Sequence, residues 1–134
     1  MTPGREDIAE LVAFLPRLEA DGFVAVETWG GGETLADGST TFLWPVYARV
    51  VDEFFTAAAK ECWCDFEYQA HDALGKLRRP GFIENASLTE LKTLLTFCVR
   101  GERFCDGHWG AMIEAGYIQR ILQRLAVLYA RTGA

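Results

Sequence analysis

No stretch of this chain approaches the roughly 18 consecutive apolar residues that cross a bilayer. The first residues, Met1-Thr2-Pro3-Gly4-Arg5-Glu6-Asp7, lack the basic-then-apolar order of a secretion signal. The expectation is a cytoplasmic protein with no membrane partner. Basic charge is scarce as well: 13 Lys and Arg stand against 19 Asp and Glu, for a net charge of −6. Affinity for nucleic acid comes mainly from Lys and Arg neutralising phosphates, so no direct nucleic-acid contact is expected. None of the four cysteines forms a Cys-x-x-Cys knuckle, and in a reducing compartment they are expected to be free. Gly30-Gly31-Gly32 is not followed by Gly-Lys-Ser/Thr, and no helix clearly opens after it. It reads as a flexible turn rather than a phosphate loop.

The chain does have the material for a core. Half of its 134 residues are hydrophobic and 13% are aromatic, which fits one folded domain over 1–134. The charge divides it unevenly. Residues 1–61 hold four basic groups against eleven acidic ones, a net −7, and residues 62–134 hold nine against eight, a net +1. The expected organisation is an acidic N-terminal half and a helical C-terminal core.

Hydrophobic periodicity predicts a predominantly α fold of the α+β class, with about six helices and one small antiparallel β element near 23–44. Residues 5–20 place Ile8, Leu11, Val12, Leu15 and Leu18 on one face, and Pro16 should kink or split that helix. Two or three short strands are expected, including Phe23–Trp29 and Thr40–Trp44, as a hairpin or small sheet with Asp37-Gly38 as a turn. Pro45 then suits the first position of a helix over 46–60. Asp65 is placed to cap a helix over 66–77 with Phe66 inward. Ser87-Leu88-Thr89-Glu90 is a capping box ahead of the next helix, and Gly101 is placed to end it in a left-handed cap. Helices over 102–115, closed by Gly116, and 117–131 complete a C-terminal three-helix unit.

The densest run of reactive side chains is Val99-Arg-Gly-Glu-Arg-Phe-Cys-Asp-Gly-His-Trp109. On a helix over 102–115, Cys105 and His108 share a face, while Phe104 and Cys105 look inward. With Cys62 and Cys64 they make a nominal Cys-x-Cys…Cys-x-x-His ligand set, although the cysteines sit amid core-forming residues, where a free thiol behaves as a small hydrophobe. A nucleophilic Cys105 with His108 as base lacks a third orienting group. Arg100 and Arg103 flank the start of the same helix, where backbone N–H groups favour an anion, but the preferred expectation is that they bond to the last carbonyls of the preceding helix or to Glu102 and Asp106. Gly107, Gly110, Ala111 and Ala115 form a small-residue strip that admits a neighbouring helix. No catalytic residue, metal or cofactor is assigned.

Leu94-Leu-Thr-Phe-Cys-Val-Arg-Gly-Glu-Arg-Phe-Cys-Asp-Gly-His108, with Gly116-Tyr-Ile-Gln-Arg-Ile-Leu-Gln-Arg-Leu125, resembles the C-terminal core of a small bacterial and phage-associated domain family of unknown function. The resemblance covers about residues 42–128. It implies no activity, and marks Arg100, Arg103, Phe104, Cys105, Gly107 and His108 as a recurring structural or binding element.

The leading functional expectation is a non-enzymatic interaction or regulatory protein with a protein partner. Trp29, Trp44 and Trp63 lie near predicted turns, where they would anchor that partner. One concrete form, suggested by the phage-associated resemblance, is an inhibitor of a basic, nucleic-acid-binding host protein. The alternative is a small enzyme or anion-binding domain using Arg100, Arg103, Cys105 and His108. A homodimer built on an exposed helix face is a third expectation.

Overall fold

The computed structural model describes residues 2–132. Its elements run α1 (Arg5–Val12), α2 (Leu15–Leu18), β1 (Val26–Gly30), β2 (Trp44–Tyr47), α3 (Arg49–Ala58), α4 (Ala70–Arg78), α5 (Phe82–Asn85), α6 (Leu88–Arg100), α7 (His108–Glu114) and α8 (Tyr117–Thr132). Single 3-10 turns at Glu61–Trp63 and Gly101–Arg103 link α3 to α4 and α6 to α7. The class is α+β and predominantly α, as expected. The first expected helix is split into α1 and α2, with Pro16 in the first turn of α2, where its missing N–H is harmless.

Helix α8 is the spine. Its Ile118, Ile121, Leu122 and Leu125 are fully buried, at the spacing of one helical face. Against it lie α1, α5, α6 and α7. Arg5 of α1 donates to the Tyr129 carbonyl at 2.9 Å, and its guanidinium lies 3.7 Å from the Tyr129 ring centre. Arg120 grips Glu84 of α5 through two parallel bonds of 2.8 and 2.9 Å. Helix α6 begins in the expected capping box: the Glu90 N–H donates to Ser87 Oγ, and the Ser87 N–H donates to Glu90 Oε1. It buries Leu91, Leu94, Leu95 and Cys98.

An aromatic chain fills the other side of the core. Phe14 meets Phe54 edge-on, Phe54 meets Phe55 edge-on, and Phe55 stacks on Trp109 at 4.5 Å with only 4° between the planes. Tyr47 adjoins Trp109 at 5.4 Å. This chain carries contact from the residue just before α2 through α3 to α7 and the end of β2.

Several expected boundaries move. The second strand is Trp44–Tyr47, so Pro45 lies in β2 rather than opening a helix. Among the described residues the sheet has two strands, and proline is tolerated in an edge strand. Helix α3 therefore starts at Arg49. Helix α4 starts at Ala70, because Asp65 caps a local turn by accepting the Glu67 N–H instead. Thr93 holds the other Asp65 oxygen at 2.7 Å, and this bond keeps the Asp65 carboxyl below its usual range. Phe66, expected inward, is exposed as a result.

Gly101 is right-handed, with φ −60°, and does not form the expected left-handed cap. What demands glycine there is space: a Cβ would overlap the His108 imidazole. Gly101→Ala is therefore expected to cost about 1–3 kcal/mol by overpacking. Gly75, inside α4 with open space around its would-be Cβ, provides the contrast: Gly75→Ala is expected to add roughly 0.5–1 kcal/mol. Urea unfolding of the two variants measures both, and equal effects would contradict the packing argument.

Candidate functional site

The 99–109 stretch does not fold as one helix start. The 3-10 turn Gly101–Arg103 is followed by an irregular turn, and Gly107, at φ 90°, supplies the left-handed corner from which α7 begins at His108. Cys105 and His108 consequently share no helix face. Phe104, expected inward, is 83% exposed, and Cys105 is exposed too.

Glu102 organises this turn. One oxygen accepts the Gly107 N–H at 3.0 Å, and the other accepts the Trp109 N–H and the Tyr47 hydroxyl, both at 2.8 Å. The Tyr47 hydroxyl resists ionisation, first because it is buried and then because it already donates to Glu102. Trp109 Nε1 donates to the Val99 carbonyl at 3.0 Å, closing the turn onto the end of α6. His108 faces inward, edge-on to Phe97 at 5.2 Å, with Nε2 buried and unpartnered. Burial lowers its pKa from 6.5, opposed by the nearby Glu102 charge.

Arg100 and Arg103 meet a different partner. They line a cleft of about 170 Å³ with Cys64, Thr96, Val99, Ala58 and Ala59. Arg100 donates to Cys64 Sγ at 3.5 Å and lies 5.6 Å from the Tyr68 ring centre. The structure thus brings Arg100 and Arg103 together, adds Cys64, and leaves Cys105 and His108 out. Cys62, Cys64, Cys105 and His108 form no ligand cluster, and no group of three His, Cys, Asp or Glu side chains among the described residues is placed to hold a metal.

The tryptophans separate as well. Trp63 is fully buried under α6 and cannot anchor a partner, because the Trp63 carbonyl is tied to the Thr96 hydroxyl at 3.1 Å and its ring fills the core. Trp29 and Trp44 are each half exposed on the hairpin. Strand β1 pairs antiparallel with β2, with Thr28 opposite Val46, Trp29 opposite Pro45 and Gly30 opposite Trp44. Paired residues share a face. Trp29 faces the body, where Gly107 leaves room for its ring. Trp44 and Val46 lie on the outer face, and the Trp44 ring lies across Gly30 and Gly31, where any Cβ would collide with it. The small-residue strip of Gly107 and Gly110 thus admits the hairpin, through Trp29, Val26 and Tyr47, rather than the helix expected from the sequence.

Ten large hydrophobic side chains are exposed among the described residues, and seven of them fall between Val24 and Val46. Sequence reasoning missed Phe42 and Leu43 here; the aromatic run Phe42-Leu-Trp44 beside a glycine triplet is the signal that marks them. It gave two further residues other roles: Glu102 was an expected ion partner of the arginines and accepts from Gly107, Trp109 and Tyr47 instead, and Cys64 was a nominal metal ligand and accepts from Arg100 instead. An acid isolated between two arginines in a turn was the signal for Glu102, and nothing in the spacing links Cys64 to Arg100.

The model of the family of unknown function DUF6508 matches residues 3–131. The chain belongs to this family. The match reaches well beyond the 42–128 expected from the resemblance, so the DUF6508 fold includes α1 and the hairpin. The chain matches no curated protein and no solved structure. Membership in DUF6508 assigns no reaction. No helix among the described residues is long and apolar enough to cross a membrane.

Removing the Glu102 carboxylate leaves three donors without an acceptor. Glu102→Ala is expected to cost at least ~2 kcal/mol, against about 1 kcal/mol for Tyr47→Phe, by thermal or urea unfolding. His108 gives a pH signature. The unfolded chain takes up its proton near pH 6.5 while the folded chain resists it, so stability falls as pH drops below about 6.5. His108→Asn is expected to flatten that slope between pH 7 and 5; a variant with an unchanged slope would locate the proton elsewhere.

Proposed function

We propose that this protein is a non-enzymatic interaction module, and that its hairpin docks a basic segment of another protein. One observation carries this reading. The stretch 24–46 holds seven of the ten exposed large hydrophobic side chains and also three acidic residues, Glu27, Glu33 and Asp37, without a single Lys or Arg. An apolar patch that is also uniformly acidic favours a partner whose apolar contacts are framed by Lys or Arg. The Trp44 ring offers such a partner a cation–π surface.

The N-terminal half spends its cations elsewhere. Lys60, just after α3, bonds Glu10 at 2.6 Å, and Arg17 of α2 and Arg49 of α3 lie 3.8 and 3.3 Å from Glu53. Nothing basic is left to neutralise the hairpin from within 24–46. A second copy docking hairpin to hairpin would set like charges together, which disfavours a homodimer through this face. Pro45 leaves β2 one N–H short for strand addition, so recognition rests on side chains. The narrowest form of the reading is a phage- or mobile-element-encoded inhibitor that covers the nucleic-acid-binding face of a cytoplasmic host protein. Lys and Arg concentrate on such a face.

The test is titration with an Arg-rich peptide, followed by tryptophan fluorescence. Raising NaCl from about 50 to 500 mM should weaken binding at least tenfold, since screening removes the long-range attraction. Trp44→Ala and the pair Glu27→Lys with Glu33→Lys should each do the same without altering the circular dichroism spectrum. Binding indifferent to both salt and charge reversal would refute the reading.

A further inference from the structure

We infer that the cleft between the end of α6 and the Cys64 link is a binding site for a phosphate group, carried by a small phosphate monoester. The site is separate from the hairpin and does not rest on its role. Two arginines, Arg100 and Arg103, line one concavity, and the Arg100 guanidinium reaches Cys64 within it. Among the described residues neither lies within 4.0 Å of a carboxylate, although five other ion pairs are formed across the molecule. The protein thus leaves two positive charges uncompensated at one concave place, and a phosphate at neutral pH carries a charge of about −1.5 to −2.

The groups around them suit this ligand. The Arg100 guanidinium lies over the Tyr68 ring at 5.6 Å and touches Cys64 Sγ at 3.5 Å. Those two contacts fix its position while leaving most of its five N–H donors unspent, which lowers the ordering cost of a two-pronged bond to an oxyanion. Arg103 is exposed, on the 3-10 turn, and is available to close over the bound group. Ala58, Ala59 and Val99 keep the wall small and apolar. The volume, about 170 Å³, is below the roughly 300–1,000 Å³ of sites for drug-sized molecules. It therefore suits one phosphate with a short organic tail, and excludes a dinucleotide. Charge selects further: a monocarboxylate would satisfy one guanidinium and leave the other unpaired.

Cys64 makes the site readable without knowing the natural ligand. It lines the cleft, whereas Cys105 is exposed outside it. The reduced protein is alkylated with iodoacetamide, a neutral reagent, and the two thiols are followed separately by peptide mass spectrometry. Inorganic phosphate and phenyl phosphate are expected to slow Cys64 at least fivefold and leave Cys105 unchanged, and acetate at equal ionic strength is expected to protect neither. Arg103→Gln should weaken phosphate protection at least tenfold. Arg131→Gln, an equal charge loss on α8 outside the cleft, should not. Equal protection of both thiols, acetate as effective as phosphate, or an Arg103→Gln protein that protects Cys64 like the wild type would each overturn the assignment. The wild-type comparison of Cys64 with Cys105 stands even if a variant folds poorly.

Discussion

A single half-buried carboxylate holds the hairpin, the 101–109 turn and α7 in one arrangement. Glu102 accepts from the backbone at Gly107 and Trp109 and from the Tyr47 hydroxyl at the end of β2. Charge-assisted bonds of this kind are stronger than neutral ones, and three of them converge on two oxygens. Their effect passes inward through Trp109, whose ring stacks on Phe55 of α3. Polar anchoring at the surface and aromatic packing in the core therefore meet at one residue. The cost is a wrapped, irregular stretch in which Gly101 and Gly107 have no freedom to become anything larger: the first presses on His108, and the second turns the chain left-handed beneath Trp29.

What was legible in the sequence followed local rules. The Ser87–Glu90 box, the stripe of α8, the split at Pro16 and the corner at Gly116 depend on neighbours a few residues apart, and each appears in place. What was not legible depended on distant partners. Asp65 has an ordinary capping sequence, yet it is drawn to Thr93 of α6 and caps only a turn. Helical spacing puts Cys105 and His108 on one face, but Glu102 captures the backbone at Gly107 and Trp109 and delays the helix to His108. The same capture turns Phe104 and Cys105 outward. Of the candidate site, the pairing of Arg100 with Arg103 was visible; its completion by Cys64, 36 residues earlier, was a tertiary fact. Trp63 reads like Trp29 and Trp44 in sequence, and only packing under α6 separates it from them.

Charge in this molecule is sorted by place. The net −7 of residues 1–61 does not spread evenly, because the four cations of that half sit on α1, α2, α3 and the residue pair after α3. The hairpin keeps its negative charge undiluted. The end of α6, by contrast, gathers two arginines that no carboxylate approaches among the described residues. A near-neutral C-terminal half thus conceals a local positive site, which a charge count over 62–134 averages away.

The hairpin has a stem fixed to the body and a tip held only by its own bonds. Its stem is pinned by Tyr47, by Val26 against Gly110 and by Trp29 against Gly107. Beyond Gly32 the chain is exposed throughout to Thr40, held by its own Thr34–Thr40 bridge and by Asp37 bonding Ser39. Nothing in the core registers what that tip contains. Apart from Gly38, whose φ of 85° favours glycine, the exposed residues there are open to substitution, lengthening or shortening at little thermodynamic expense. The stem would keep its angle to the body through such changes. The body of the fold thus sets where the tip sits and leaves its outline free to differ.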